Sequence, residues 1–395
     1  MAARKKLSPA LLALTGAALS LPGIARSQTV KDIEIDYRYS NYTEDDISGS
    51  DTATGQSSER YEIDTHQFRV ASLVDDDYEV SLDLTVESMS GASPWFVLPG
   101  ANGKPLQVMS GATIEEDRAD VLVSVARRTG WGKLGVSLGH SDEDDYQATN
   151  IGVFGEWELN DRVSTVSGGI GYSDDQLDPT VGTTPVSTTG ADRDTTSAFV
   201  GYSRVLGQNT IIQTSLRYAD HGGFLSDPYK QAFIQAPAAI VADNRPSGRR
   251  EFVWLTRLRH FIEPLNAAVH ADYRLYDDNW DVTAHTLDLA WHQNLPMQFK
   301  VAPGLRWYSQ SEAFFYQPFY PVARNDGYAS SDYRLSPYGA ISFSLDVQKS
   351  FNGWSLGARY ENYNSGESYA ASDVDVEAPA LVDFDILSLS LKKIF

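Results

Sequence analysis

The sequence is dominated by segments of about ten residues in which apolar and polar side chains alternate. Between 341 and 347, for example, Ile341, Phe343 and Leu345 share one parity, while small or charged residues occupy the other. A period of two places successive side chains on opposite faces of a strand. We find no comparable stripe with the 3.6-residue period of a helix. The pattern therefore predicts an all-β protein whose strands separate two different media.

The connections between these segments alternate between short turns and mostly longer links. Bacterial outer-membrane barrels have short periplasmic turns, long extracellular loops and an even number of strands. The sequence thus predicts a single closed antiparallel transmembrane barrel of about sixteen strands, in a range of about 14–18. The predicted strands cover residues 31–43, 60–74, 78–88, 114–128, 132–140, 149–159, 162–173, 193–206, 209–219, 250–261, 265–276, 280–293, 297–309, 333–347, 354–362 and 382–394.

The first residues have the pattern of a secretory signal peptide. A basic segment at 4–6 precedes an apolar stretch at 7–24 that contains prolines and glycines, and small residues precede Gln28. This pattern predicts a signal peptide over 1–27, cleaved after Ser27, and a barrel domain over 28–395. No other apolar run approaches the roughly 18–20 residues of a membrane helix. We therefore expect an exported protein of the bacterial outer membrane, in contact with its lipid and lipopolysaccharide.

Composition excludes several kinds of site. The chain has no cysteine, which removes disulfides, thiolate metal sites and cysteine nucleophiles. Its formal net charge of −21 argues against nucleic acid as a partner. The seven histidines are scattered, with no metal-ligand spacing, and no nucleophile motif stands in a suitable context. We therefore predict no catalytic residue, no metal site, no cofactor and no enzymatic activity.

Several motifs occur in an order that spans most of the mature chain. They include DLTVESMSGASP at 83–94, HSDEDDY at 140–146, YRLYDDNW at 273–280 and SDYRLS at 331–336. Together they resemble the domain of unknown function 3570 family of outer-membrane barrels, although Trp95 departs from the small polar residues expected there. The resemblance implies a barrel and the outer membrane. It implies no activity and no site residues.

A set of charged side chains lies on the polar parity of the predicted strands, where it would line the lumen. Such residues either select a solute, as charge rings do in channels, or form ion pairs that fill the interior. We also expect His270 and His285 in the lumen, and aromatic residues such as Trp254, Trp307, Trp354, Tyr273 and Tyr360 at the membrane interfaces. The predicted lumen-lining residues are Arg217, Arg257, Arg259, Arg274, Arg306, Arg334 and Arg359, with Glu79, Asp83, Glu87, Asp272 and Asp346 as carboxylates.

Two acidic clusters, 44–46 and 142–145, fall in predicted outer loops. Oxygen ligands suit Ca²⁺ or Mg²⁺, but the spacing does not match an EF-hand loop, so we predict solvated loops. For the whole chain we predict a porin-like passive channel for small hydrophilic solutes. The alternatives are a non-conducting, loop-plugged barrel that serves as scaffold or export partner of a periplasmic protein or lipoprotein, and an outer-membrane hydrolase.

Overall fold

The computed structural model describes residues 33–110, 114–159, 163–180 and 186–395, so the expected signal peptide lies outside the described residues. Sixteen strands form one closed antiparallel barrel, which confirms the predicted fold class. The strands are β1 Glu34–Glu44, β2 Glu62–Val74, β3 Tyr78–Gly91, β4 Ile114–Thr129, β5 Gly132–Glu143, β6 Tyr146–Leu159, β7 Ser164–Leu177, β8 Ala191–Val205, β9 Thr210–Gly223, β10 Gly248–Ile262, β11 Ala267–Asp278, β12 Thr283–Leu295, β13 Phe299–Gln310, β14 Tyr338–Phe351, β15 Trp354–Gly366 and β16 Phe384–Ile394.

Each strand pairs with the next one along the chain, and β1 closes the ring by pairing with β16 from Glu34↔Ile394 to Glu44↔Phe384. Each of the sixteen predicted segments overlaps one barrel strand. Within the described residues, no helix has the length and apolar character that crossing a bilayer requires.

The largest error in a predicted strand boundary concerns β14. The prediction started this strand at residue 333, but Tyr333–Leu335 form a 3₁₀ turn and β14 begins at Tyr338. The cause is local, because the Asp332 side chain accepts a hydrogen bond from the backbone N–H of Arg334 and so stabilises the turn. Arg334 is therefore not on the barrel wall, and its predicted lumen-lining position is wrong.

Alternation divides the barrel wall into two faces, because directly paired residues of neighbouring strands point to the same side. The outward face is apolar: Leu305 on β13 stands between its partners Leu289 on β12 and Phe343 on β14, and all three are exposed. The predicted interface aromatics share this outward parity. The inward face carries mainly small, polar and charged residues, with a few large apolar ones such as Val253 and Leu255. Pro303 also faces outward, and the register between β12 and β13 is the same on both sides of it, so no bulge forms.

The two ends of the barrel differ. One end has tight turns; at 75–77, both Asp75 (φ 52°) and Asp76 (φ 58°) adopt the left-handed conformation that Asp tolerates better than most residues. The other end carries long loops with structure of their own. Strands Pro94–Pro99 and Pro105–Met109 form a hairpin, and a three-stranded sheet has the order 239–242, 231–236, 320–322.

Most large, fully buried side chains lie in these loops rather than in the barrel. Trp280, Phe315 and Tyr316 form the centre of an apolar cluster with Val282, Ala313 and Leu335. The indole N–H of Trp280 donates to the carbonyl of Gly248, 3.0 Å away, and so ties the cluster to the start of β10. The wall itself has lipid on one side and the lumen on the other, and the cluster around Trp280 has more buried members than the clusters on the strands.

Candidate functional site

Five loops meet over one end of the barrel, and we call them the cap: residues 45–61, 92–110, 224–247, 311–337 and 367–383. The Lys230 ammonium donates to the carbonyl of Pro94 at 2.8 Å. Along the sixteen-strand ring, six strands separate the two loops that make this contact. The cap thus reaches across the barrel opening.

The centre of the cap is a network of buried ion pairs. Asp332 lies between Arg245, whose Nη2 is 2.8 Å from its Oδ2, and Arg334, which bonds the same carboxylate. Arg245 also contacts Asp243 at 2.7 Å, and Arg334 contacts Asp227 at 2.9 Å. The Asp243 and Asp332 side chains are fully buried. Because buried carboxylates must be paired, the network holds the cap loops in one arrangement.

Burial and charge act in opposite directions in this network. Burial by itself would raise the pKa of Asp332, but the cations of Arg334, Lys230 and Arg245 hold that pKa well below its usual range. At Asp243 the nearby Arg245 cation does not offset the effect of burial, so the pKa of Asp243 is raised. Burial likewise lowers the pKa of Lys230. Asp332 is therefore the carboxylate on which the charge balance of the cap depends most.

A second buried pair anchors the cap to the rim. Arg60 Nε lies 2.6 Å from the Glu44 carboxylate at the end of β1, and its Nη1 donates to the carbonyl of Ala380 at 3.2 Å. Its guanidinium carbon also lies 5.4 Å from the centre of the Tyr333 ring. The prediction of a solvated loop at 44–46 is therefore wrong for Glu44.

The other acidic cluster is also partly buried. Asp145 is 2% exposed, and the Tyr229 hydroxyl of the cap donates to its carboxylate. The predicted loop at 141–148 shrinks to the two-residue turn 144–145, because β5 and β6 extend to Glu143 and from Tyr146. Burial raises the pKa of Asp145. Among the described residues, Glu116, Glu143 and Asp145 form the group whose ligand atoms, within 4.8 Å of one another, could share a metal ion.

Inside the barrel, the predicted charged residues other than Arg334 occupy inward positions. Pairing relations put them on the face opposite the exposed apolar residues. The Arg306 side chain is 46% exposed and that of Arg359 is 42% exposed, although both point into the barrel. Both side chains therefore border space inside the barrel that no protein atom fills. The residues at inward positions are Arg217 on β9, Arg257 and Arg259 on β10, Arg274 and Asp272 on β11, Arg306 on β13, Asp346 on β14, Arg359 on β15, and Glu79, Asp83 and Glu87 on β3.

Many of these residues pair with partners that the sequence analysis did not single out. Arg306 Nε lies 2.5 Å from Asp288, and Arg359 lies 2.8 Å from Glu361. On the other wall, Arg69 pairs with Asp83 at 2.6 Å and Arg118 with Glu87 at 3.1 Å. The missed partners share the inward parity of their own strands, so parity applied to every strand would have identified them.

Two histidines expected in the lumen lie on opposite faces. His270 points inward and its ring centre lies 3.8 Å from that of His292. His285 points outward, where its Nδ1 is 2.8 Å from the Tyr273 hydroxyl. Its lumenal position was predicted wrongly, because its strand begins at Thr283 and the odd positions of β12 face lipid.

Comparison with solved structures supports the fold. A structure titled "CdiB from Acinetobacter baumannii" is 9% identical with a TM-score of 0.50, and the match covers 92% of this chain and 60% of that chain. A "Bacterial polysaccharide outer membrane secretin" is 9% identical with a TM-score of 0.48, covering 91% and 98%. The "CymD monoaromatic hydrocarbon channel" is 10% identical with a TM-score of 0.43, covering 100% and 95%. The likeness to the first of these structures, at 9% identity and a TM-score of 0.50, concerns the fold alone.

No curated protein matches the sequence. The family model described as "Protein of unknown function (DUF3570)" matches residues 11–375, in agreement with the resemblance of the sequence motifs. The structure is accordingly an outer-membrane type of β-barrel. Because the match covers most of the chain, the protein belongs to the DUF3570 family.

Proposed function

We propose that this protein is an outer-membrane channel for small hydrophilic solutes whose outer opening is controlled by the cap. The observation that carries the proposal is the exposure of Arg306 and Arg359 inside the barrel, at 46% and 42% of their side chains. A lumen packed by side chains would bury them. Sixteen-stranded barrels are wide enough for an aqueous channel.

The proposal includes an orientation, with the cap outside the cell and both terminal strands starting or ending at the periplasmic side. It also includes export by a cleaved signal peptide. In this cysteine-free chain, Gln235→Cys in the cap should react with a membrane-impermeant maleimide on whole cells. Gln208→Cys, in the turn 206–209 at the other end, should react after lysis alone. The reverse pattern would overturn the orientation.

Conductance tests the channel directly. Purified protein in a planar bilayer should give discrete current steps. Replacing residues 224–247 by a short turn removes Lys230 and Arg245 from the cap, so the open fraction of time should rise. Asp326→Ala is the matched control, because it removes an exposed carboxylate from the same cap. Heat-modifiable gel mobility verifies that every variant is folded.

The second candidate is a non-conducting barrel that serves as scaffold or export partner of a periplasmic protein or lipoprotein. The contact between Lys230 and Pro94 favours it, because it joins loops on distant sides of the opening. If neither the wild type nor the shortened variant conducts current in the bilayer, this candidate is supported and the channel is contradicted.

A further inference from the structure

We propose that the lumen conducts small solutes that carry phosphate or carboxylate groups, along a ladder of four arginines on β9, β10 and β11. This inference rests on the proposed channel function and names its solute class. The arginine ladder consists of Arg217, Arg274, Arg257 and Arg259.

The four arginines occupy four successive inward rows of the wall. Arg217 is paired with Val253 in the first row, and Arg274 with Leu255 in the second. Arg257 is directly opposite Asp272 in the third row, and Arg259 opposite His270 in the fourth. Successive inward positions along a strand are about 7 Å apart. The ladder thus runs from beneath the cap toward the turns.

Cations exceed carboxylates along the ladder. Asp272, the one carboxylate in these rows, bonds Arg259 at 2.9 Å and lies 3.5 Å from Arg257. Arg217 and Arg274 form no ion pair with any described residue, and Nε of Arg274 is buried without a hydrogen-bond partner there. The twelve inward positions of the four rows hold Arg217, Val253, Tyr276, Ser215, Leu255, Arg274, Gln213, Arg257, Asp272, Ile211, Arg259 and His270.

The nearest carboxylates outside these rows already have cationic partners, since Asp288, opposite Asp272 on β12, bonds Arg306 at 2.5 Å. Glu251, one row nearer the cap, lies 3.7 Å from Arg249, which is already its cationic neighbour. On β2, eight strands from β10 and hence on the opposite side of the ring, Arg69 is paired with Asp83 at 2.6 Å. On the wall formed by β9 to β11, a solute anion therefore meets Arg217 and Arg274, which form no ion pair with a described residue.

The chemistry of arginine indicates the kind of anion. Its planar fork donates two parallel hydrogen bonds to a carboxylate or a phosphate, and it stays charged at any physiological pH. Arg257 and Arg259 expose 23% and 29% of their side chains to the lumen. A moving oxyanion can exchange one arginine for the next, because successive rows are close and the low-dielectric wall focuses the field.

Ion selectivity is the first test. In a KCl gradient across a planar bilayer, the wild-type permeability ratio of chloride to potassium should exceed one. Coulomb's law in water at about 8 Å gives about a twofold effect for each charge. Because each charge attracts chloride and repels potassium by about this factor, the double variant Arg217→Gln/Arg274→Gln should lower the ratio roughly 16-fold. Arg217→Lys/Arg274→Lys should retain most of it.

Arg250→Gln is the matched control, because Arg250 lies on β10 with its exposed side chain on the outward parity. It removes one positive charge outside the lumen and should leave the ratio unchanged. A wild type that conducts without anion preference would overturn the inference. So would a double variant with the wild-type ratio.

Two probes identify the solute class. Inorganic phosphate or succinate, added to the KCl solution, should reduce the chloride current of the wild type by occupying the ladder, and should do so less in the double variant. Block by phosphate alone assigns phosphate-bearing solutes, and block by succinate alone assigns carboxylates. Chloride preference without block by either probe contradicts the oxyanion assignment.

Binding in detergent separates this inference from the channel itself. If the wild type conducts no current in the bilayer, the proposed function fails, but anion binding to the arginine ladder can still be tested. Phosphate or succinate should then raise the melting temperature of the wild type and of Arg250→Gln, but not that of the double variant. No stabilisation of the wild type by either anion would overturn the ladder as an anion site.

Discussion

The cap and the lumen both contain Arg–Asp ion pairs, but those of the cap are buried and those of the lumen are exposed. In the cap, Arg245 contacts Asp332 at 2.8 Å, and the carboxylate has no exposed surface. In the lumen, Arg306 contacts Asp288 at 2.5 Å, with 46% and 38% of the two side chains exposed. The contact distances are similar, so distance does not distinguish the two roles. Hydration distinguishes them. An exposed ion pair contributes little to stability, whereas breaking a buried pair leaves a buried charge without a partner.

Deleting one carboxylate from each pair should give the largest contrast. Asp332→Ala leaves Arg245 and Arg334 buried without this partner, so we expect the cap to lose about 3–5 kcal/mol. Asp288→Ala leaves Arg306 in water and should cost about 0–1 kcal/mol. Protease cleavage within 311–337, with the barrel followed by heat-modifiable mobility, measures both. Equal cleavage of the two variants would mean that the buried ion pairs of the cap stabilise it no more than an exposed pair does.

The second prediction compares the lumen with the lipid face. Leu305→Arg places a charge near the middle of β13 in lipid, where Arg costs about 2–4 kcal/mol. Ala302→Arg places it inward, directly opposite Asp346 on β14, where it can pair. Folding yield in detergent should therefore fall much more for Leu305→Arg. Similar yields would show that the two faces have been assigned incorrectly.

The smallest effect concerns pH at the edge of the cap. Burial raises the pKa of Asp145, so the folded state favours its protonated form. This contribution to stability is present below the unfolded pKa and is lost as pH rises through the folded pKa. The melting temperature of the wild type, relative to Asp145→Asn, should therefore rise modestly as the pH is lowered from neutral toward the unfolded pKa of about 4. Asp142→Asn, which changes an exposed neighbour, is the control. The melting temperature of Asp145→Asn should depend less on pH than that of Asp142→Asn. Identical pH profiles of the two variants would contradict a raised pKa of Asp145.

The barrel was predictable because it repeats one physical rule. Each strand must present apolar groups to lipid and polar groups to water. Because successive side chains point to opposite faces, this requirement produces a sequence pattern with a period of two. The same rule gave the inward positions of Arg306 and Arg359. Their partners Asp288 and Glu361 obey it as well, so nothing beyond parity was needed to find them.

The cap was not predictable, because its contacts join loops that are distant in sequence and carry no period. Arg60 and Glu44, or Lys230 and Pro94, look like ordinary loop residues until the fold brings them together. Arg334 shows the same limit in reverse. Its neighbours alternate as in a strand, but a hydrogen bond from its own N–H to Asp332 overrides the pattern.

The pairing of β1 with β16 has a consequence for biogenesis. Residues 34–44 and 384–394 must meet to complete the hydrogen-bonded ring, and they are almost the full length of the chain apart. Contacts between such distant segments form slowly, and an unpaired edge strand invites aggregation until it is covered. The nascent polypeptide therefore has to be protected until its final strand is available. The free edges of the unfinished sheet disappear when β1 pairs with β16.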